Sequence, residues 1–217
     1  MSNNFYDIKS RDYFGAVKHG VIATLDTAHM GHVLDVGGGD GATVRFLIEE
    51  GRATGAVVMD PYAQAQSIEN LEFRTDSADN LENFDEMVRQ KERFDTVLCL
   101  DVLEHLVNPW AVLEKLKSIH QPGGKLIVCM PNARFVALTV PLVLFGRFDY
   151  KPSGIMDKTH IRWFTRATTI EMIEQAGYRI EQVDGLLEPR VIWANRLTLG
   201  LFRRFFDYQY VVQAVRP

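Results

Sequence analysis

Two kinds of hydrophobic pattern alternate along the chain. Short, continuous runs of apolar and β-branched residues predict buried strands, and apolar residues at helical spacing predict helices between them. The predicted strands lie at 32–36, 55–60, the start of 71–79, 96–100, 125–130, 178–185 and 208–216. Strand–helix units in sequence favour an α/β fold with a doubly wound, Rossmann-like parallel sheet, right-handed crossovers and helices on both faces.

Three segments fall outside this repeating pattern. Residues 4–27 carry loosely spaced apolar side chains, which predict a helical leader over residues 1–30. Residues 133–164 form an insert that a minimal fold of this class does not need. Residues 190–206 mix arginines with large apolar side chains and predict a basic amphipathic helix, which can contact an anionic membrane, a ligand site or a second copy of the chain.

Composition narrows the functional classes. The chain has 217 residues, long enough for a single α/β domain over 1–217, and its net charge of −4 gives no general case for nucleic-acid binding. Cys99 and Cys129 lie in apolar runs and are interpreted as buried core residues of a protein in a reducing compartment. The first residues lack the pattern of a signal peptide. A cytoplasmic location, with peripheral membrane contact as an option, is therefore expected.

A glycine-rich loop follows the first predicted strand. It contains Gly37, Gly38, Gly39 and Gly41, and Asp35 precedes it by two residues. Gly37-x-Gly39-x-x-Ala42 also fits a dinucleotide fingerprint, and a turn without a ligand is a further alternative. A carboxylate suits a cationic ligand, whereas a bare helix N-terminus attracts anions. With Asp35, the loop resembles motif I of the class I S-adenosylmethionine (SAM)-dependent methyltransferases.

Acidic residues follow the next two predicted strands. Asp60 and Pro61 end the second strand roughly 20 residues after the glycine loop, where such folds bind a ribose with an acid. A carboxylate can accept hydrogen bonds from two hydroxyls at once. The resemblance further implies an adenine contact after the third strand, for which Asp76 with Ser77 is the first match and Asp79 the competing one.

The segment from Phe94 to Pro109 carries a second motif. Its Val-Leu-Glu-His-Leu string followed by Asn-Pro resembles the ubiquinone-biosynthesis-type branch of these methyltransferases. That resemblance implies that Leu100 and Asp101 lie beside the methionine part of SAM. Glu104 and His105 can face the cofactor or solvent, and His105 is a candidate substrate contact. No metal site is predicted, because no second His or Cys follows at ligand spacing.

The insert resembles that of bacterial methyltransferases of cell-surface polysaccharide pathways. The resemblance rests on Gly-Arg-Phe-Asp-Tyr at 146–150 and on residues 154–165, and it implies that the insert covers the acceptor site. His160 can act as a general base, since imidazole titrates near neutral pH, or as a structural latch. The other candidate substrate contacts are Tyr13 in the leader and Asp157 and Arg162 in the insert.

Together, these features predict SAM-dependent transfer of a methyl group to a small-molecule or saccharide acceptor, at oxygen, by in-line displacement. The cofactor would be S-adenosyl-L-methionine and the product S-adenosyl-L-homocysteine. The resemblance also implies a sheet of about seven strands whose final strand is antiparallel. The alternatives are a nucleotide-dependent oxidoreductase and a module that binds SAM without catalysis.

Overall fold

A computed structural model describes residues 16–26, 28–63 and 67–217. These residues contain a seven-stranded sheet with the order β3-β2-β1-β4-β5-β7-β6. The strands are β1 Gly31–Val36, β2 Ala53–Met59, β3 Leu71–Arg74, β4 Phe94–Leu100, β5 His120–Pro131, β6 Arg179–Leu187 and β7 Asp207–Val215. The first five strands pair in parallel, and β7 is antiparallel to both β5 and β6. The predicted Rossmann-like class with an antiparallel final strand is confirmed.

Helices connect the strands, and two of them have side-chain caps at their N-termini. They are α1 His19–Ile22, α2 Ala42–Glu49, α3 Glu82–Arg89, α4 Pro109–Ile119, α5 Val136–Phe145, α6 Arg166–Gln175, α7 Ile192–Leu197 and α8 Arg203–Phe206, with 3₁₀ turns at Leu103–His105 and Pro189–Val191. Asn108 caps α4 by accepting from the Ala111 N–H, and Thr165 forms a capping box at α6. A side-chain acceptor at the N-cap satisfies an N–H group that the helix cannot pair itself.

Helices pack on both faces of the sheet because side chains alternate along each buried strand. In β1, Leu34 faces the layer formed by α3, α4 and α6, whereas Val33 faces the layer that includes α1 and α2. Cys99 and Cys129 are buried free thiols in these layers, as the sequence predicts, and burial raises the pKa of each.

The predicted helix over 190–206 is wrong as a single element. Residues 189–206 form a 3₁₀ turn, α7 and α8, with a break between the two helices. Leu199 and Gly200 have φ angles of 49° and 76°, which a right-handed helix does not accommodate. Among the described residues, every helix is too short or too polar to cross a membrane.

The leader is described only in part. Residues 1–15 and 27 lie outside the described residues, and the rest of the leader contains the four-residue helix α1. Tyr13, a candidate substrate contact, therefore lies outside the described residues. The insert begins with α5 and continues through irregular backbone to α6, with Lys151 and Asp157 joined by an isolated bridge.

Candidate active site

A cavity of about 350 Å³ opens at the carboxyl ends of β1, β2 and β4. The strand order reverses direction between β1 and β4, which is where open α/β sheets bind their ligands. The predicted site residues that line this cavity are Asp35, Gly37, Gly38, Gly39, Asp60, Pro61, Ser77, Leu100, Asp101 and His105. Those described in the structure but not lining it are Gly41, Asp76, Asp157, His160 and Arg162.

The glycine loop needs its glycines for two different reasons. Gly37, Gly39 and Gly41 have φ angles of 74°, 56° and 70°, a region that L side chains rarely adopt. A Cβ at Gly37 would lie 2.6 Å from Val102 Cγ2, on the cavity wall. A Cβ at Gly41 would lie 2.9 Å from the Phe73 ring, away from the cavity. Gly41 therefore serves the packing of the loop on β3.

The loop itself fixes the Asp60 carboxylate. Gly39 N–H donates to Asp60 Oδ2 at 2.9 Å, and Tyr62 N–H donates to Oδ1 at 2.8 Å. Burial raises the pKa of Asp60, and these two backbone donors oppose that rise. Each carboxylate oxygen can accept further hydrogen bonds. The arrangement orients the group at the cavity wall before any ligand binds.

Asp35 lies beneath the loop, with Oδ2 2.5 Å from the position that a Cβ on Gly38 would take. Burial and, to a smaller extent, the nearby Asp60 raise the pKa of Asp35 from 3.8 to about 7 against the opposing effect of Lys18. A cation in the cavity would favour the ionised carboxylate.

We expect Asp35→Asn to flatten the pH dependence of stability. Between about pH 4 and pH 7 the folded state keeps the Asp35 proton while the unfolded state has lost it, so the free energy of unfolding falls as the pH rises. The loss can reach about 4 kcal/mol, and the neutral asparagine does not suffer it. Urea unfolding at several pH values measures the effect. The exposed Asp26→Asn is the control, and equal slopes for both variants and the unmodified protein would contradict the assignment.

Asp101 adopts a left-handed conformation at the end of β4, with φ 57°. Its Oδ2 lies 2.7 Å from Lys18 Nζ, and its Oδ1 accepts from Gln209 Nε2 at 2.5 Å. Lys18 comes from the leader and Gln209 from β7. Sequence reasoning missed both as site residues, since neither lies in a motif and only the folded chain brings them to Asp101.

The two acids predicted as adenine contacts lie at different places in the loop after β3. Ser77 and Asp79 line the cavity together with Ala78, whereas Asp76 is half-buried beside it. Asp79 Oδ1 also accepts from the Val107 N–H at 2.9 Å, which links this loop to the segment after β4. The competing match, Asp79, is therefore the better placed acid.

His105 faces the cavity, and His160 lies behind it. The two rings are 4.7 Å apart and nearly perpendicular. His105 Nδ1 lies 3.0 Å from the Thr159 carbonyl, and His160 Nδ1 lies 2.9 Å from the Ile155 carbonyl. Because a carbonyl oxygen only accepts, each Nδ1 carries the proton in the neutral ring. Nε2 of His160 lies 3.9 Å from Glu104 Oε1.

The two remaining candidate contacts, Asp157 and Arg162, form bonds that stabilise the insert. Asp157 is buried, and its Oδ1 accepts from the N–H and the hydroxyl of Thr159. Arg162 donates to the Val107 carbonyl at 2.6 Å, and its guanidinium lies 5.8 Å from the centroid of the Trp110 ring. Arg162 thus joins the insert to the segment after β4, whereas these hydrogen bonds of Asp157 lie within the insert.

The residues of the cavity fit SAM. Its volume lies in the range of small-molecule sites, about 300–1,000 Å³. Asp60 suits a pair of ribose hydroxyls, and two further acids, Asp35 and Asp101, suit a ligand with positive charge. Pro61 and Leu100 supply apolar surface. Fold and site together define a doubly wound, nucleoside-binding domain whose acidic groups favour a cation.

Comparison with known proteins agrees with this class. A family profile described as a methyltransferase domain matches residues 10–183. The chain is 30% identical over 197 residues to the ubiquinone biosynthesis O-methyltransferase of Xanthomonas euvesicatoria pv. vesicatoria (strain 85-10), covering 85% of this chain and 76% of that protein. The protein of the same name from Xylella fastidiosa (strain M23) is 27% identical over 195 residues, covering 85% and 74%.

The fold is also found in solved structures. A SAM-dependent methyltransferase from Archaeoglobus fulgidus superposes with a TM-score of 0.66 at 16% identity, over 99% of this chain and 100% of that chain. The chain therefore belongs to the class I SAM-dependent methyltransferases, and SAM is its cofactor. This assignment favours the SAM interpretation of the glycine loop over a dinucleotide fingerprint and over a turn without a ligand. For this chain, the methyltransferase assignment implies a small-molecule acceptor.

Proposed function

We propose that this methyltransferase acts on a hydroxyl group and transfers the methyl of SAM to its oxygen. The observation that carries the proposal is a polar cluster beside the cavity, in which His105 lines the cavity and Glu104 and His160 lie next to it. A hydroxyl needs to lose a proton as the methyl arrives, whereas an ionised carboxylate acceptor does not. The curated relatives are named O-methyltransferases, which supports oxygen as the methylated atom.

Within the cavity, we assign the parts of SAM by the charge of the wall. Asp60 accepts from the ribose hydroxyls, and the loop of Ser77 and Asp79 holds the adenine. Asp101 and Asp35 lie on the side of the amino-acid portion, where Lys18 pairs with Asp101 and offers a positive group for a carboxylate. SAM supplies an activated methyl group. The protein therefore has to align the acceptor with it and exclude water.

We infer that the imidazole of His105, rather than that of His160, contacts the acceptor. His105 lines the cavity, and the protonated Nδ1 leaves its Nε2 with a lone pair. His160 is buried behind it and anchored to Ile155, which supports the latch interpretation of this residue. The insert over 133–164 then covers the acceptor within a single domain.

The test is a transfer assay with SAM labelled in its methyl group. Phenols, saccharides, amines and carboxylic acids are offered separately, and each product is treated with mild alkali. We expect label on phenolic or saccharide hydroxyls, in ethers that alkali does not cleave. Label in alkali-labile esters or on nitrogen would contradict oxygen methylation of a hydroxyl. Binding of SAM without transfer to any acceptor would favour the non-catalytic module.

A saccharide acceptor has one structural observation in its favour. Phe148, Tyr150 and Trp163 of the insert form a cluster with ring centroids 5.5 to 6.0 Å apart. Phe148 and Tyr150 are exposed. Exposed aromatic faces can cover the apolar face of a sugar ring. Phe148→Ala should then raise the KM for a saccharide acceptor but not for a small phenol, and equal effects on both would remove this candidate.

Peripheral membrane contact is a second proposal, carried by exposed apolar side chains. In α5, Val143 and Phe145 are 78% and 71% exposed, and after α7, Leu199 and Leu201 are 94% and 81% exposed. Arg134, just before α5, lies 4.1 Å from the centroid of the Phe205 ring in α8, so the two regions meet. Arginines beside apolar surface favour an anionic lipid headgroup layer.

Co-sedimentation with vesicles tests the membrane proposal. The protein should sediment with anionic vesicles at low salt and less with neutral ones, because the arginines contribute charge attraction. Leu201→Ser should weaken the association, and Ile68→Ser, at an exposed apolar position on the β3 side of the sheet, should not. Equal sedimentation of both variants, or none with anionic lipid, would contradict the proposal.

A further inference from the structure

Glu104, His105 and His160 come together although 55 residues separate the two histidines in sequence. One potential ligand atom from each residue lies within 4.8 Å of the other two. Glu104 and His160 are buried, and His105 lies at the boundary between this cluster and the SAM cavity. Two imidazoles and one carboxylate at one point are a donor set that proteins use for transition metals.

The outer contacts of both histidines match those of metal ligands. Each Nδ1 is held by a backbone carbonyl, that of Thr159 for His105 and that of Ile155 for His160. This leaves the lone pair of each neutral ring on Nε2. Histidines that bind metals almost always donate their other ring N–H to a carbonyl, carboxylate or water, because this fixes both the tautomer and the ring orientation.

The backbone fixes the third ligand relative to these two. The Glu104 carbonyl accepts from the N–H groups of both Ile161 and Arg162 at 3.0 Å, so the turn after β4 is bound to the residues that follow His160. His160 N–H in turn donates to the Asp157 carbonyl at 3.0 Å. The three side chains therefore come from two segments that are bonded through the main chain.

We propose that Glu104, His105 and His160 bind a divalent transition-metal ion, with Zn²⁺ as the best match, and that its open position lies on the side of the SAM cavity. Mg²⁺ fits poorly, because it prefers oxygen ligands throughout. Ligand atoms around tetrahedral Zn²⁺ are about 3.4 Å apart. Glu104 Oε1 and His160 Nε2 are 3.9 Å apart, so small side-chain rotations close the site.

The consequence for catalysis rests on the proposed methylation of a hydroxyl. A metal ion lowers the pKa of an oxygen bound to it. An acceptor hydroxyl at the open position would lose its proton to water through the mouth of the cavity. Its oxygen would then take the methyl group as the carbon–sulfur bond breaks, with the bonding electrons left on sulfur. In that case neither histidine needs to act as the base.

Metal binding is tested on the full chain after removal of metals with a chelator. Zn²⁺ binding is measured by equilibrium dialysis, and Co²⁺, as a spectroscopic substitute, reports ligand type and geometry by its visible absorption. We expect one equivalent of Zn²⁺ and a tetrahedral Co²⁺ spectrum. Glu104→Gln and His160→Asn should each lower the Zn²⁺ affinity by at least about a hundredfold, since even outer contacts cost about 10–100-fold.

The control is His29→Asn, a substitution of an exposed histidine outside the cluster, which should bind Zn²⁺ like the unmodified protein. Calorimetric titration with SAM shows that each variant is folded and keeps its cofactor site. It also separates failure of the metal proposal from failure of the methyltransferase function. If the unmodified protein binds no Zn²⁺, or if Glu104→Gln and His160→Asn bind it undiminished, the proposal is wrong and the cluster is a latch between insert and core.

Discussion

Asp60→Asn should weaken SAM binding by at least about a hundredfold. The ionised Asp60 carboxylate is already oriented by the N–H groups of Gly39 and Tyr62, so both of its oxygens can also accept from ribose hydroxyls. A hydrogen bond to a charged group contributes about 1.5–3 kcal/mol. Two of them correspond to about 10²–10⁴ in affinity.

The asparagine variant removes this contribution with little change in shape. Its amide has one acceptor, so either the loop N–H groups or the ribose hydroxyls lose a partner. Isothermal titration with SAM and with S-adenosylhomocysteine measures the loss, which should be similar for both because both carry the ribose. Asp26→Asn, at an exposed position before β1, is the charge-matched control. A loss below about tenfold would place the ribose elsewhere.

The second large effect is expected from Gly37→Ala. At φ 74° a Cβ costs about 1–2 kcal/mol of backbone strain. The added methyl would also lie 2.6 Å from Val102 Cγ2 and 2.8 Å from Val102 Cβ. Such overpacking costs a further ~1–3 kcal/mol. Because Val102 lines the cavity, relief of the clash also displaces the wall of the SAM site.

The Gly51→Ala variant distinguishes the cost of backbone strain from the cost of the contact with Val102. Gly51 has nearly the same φ, 68°, but an added Cβ would meet nothing within 4 Å. This variant should lose only the strain of about 1–2 kcal/mol and should bind SAM normally. Urea unfolding gives the two stability losses, and calorimetry gives the two affinities. Equal losses of stability, or unchanged SAM binding in Gly37→Ala, would show that the contact with Val102 is unimportant.

The parts of the fold that the sequence predicts well are those with local signals. Strand β1 runs Gly31–Val36 where the apolar run predicts 32–36, and β4 ends at Leu100 as expected. In contrast, β5 begins at His120, five residues before its apolar run, because Phe94 pairs with His120 across the sheet. The helix expected over 190–206 breaks at Leu199 and Gly200. The spacing of apolar residues does not indicate that a residue has a positive φ angle.

The same distinction applies to the candidate site. Asp35 and Asp60 lie at the carboxyl ends of β1 and β2, near the glycine loop, so spacing alone predicts their place at the cavity. Lys18, Gln209 and the approach of His160 to Glu104 depend on contacts between distant segments. For this reason the sequence predicts no metal site, since the second histidine lies 55 residues beyond His105. Only the fold of the insert brings it back.

The position of β7 has a consequence for synthesis of the protein. This strand follows the other six in the sequence but lies between β5 and β6 in the sheet. While the ribosome still holds β7, strand β5 has an unpaired edge. Unpaired strand edges favour pairing with other chains. Asp101 also lacks the Gln209 contact until β7 is in place. The nascent chain therefore completes its cofactor site in the same late event that closes its aggregation-prone edge.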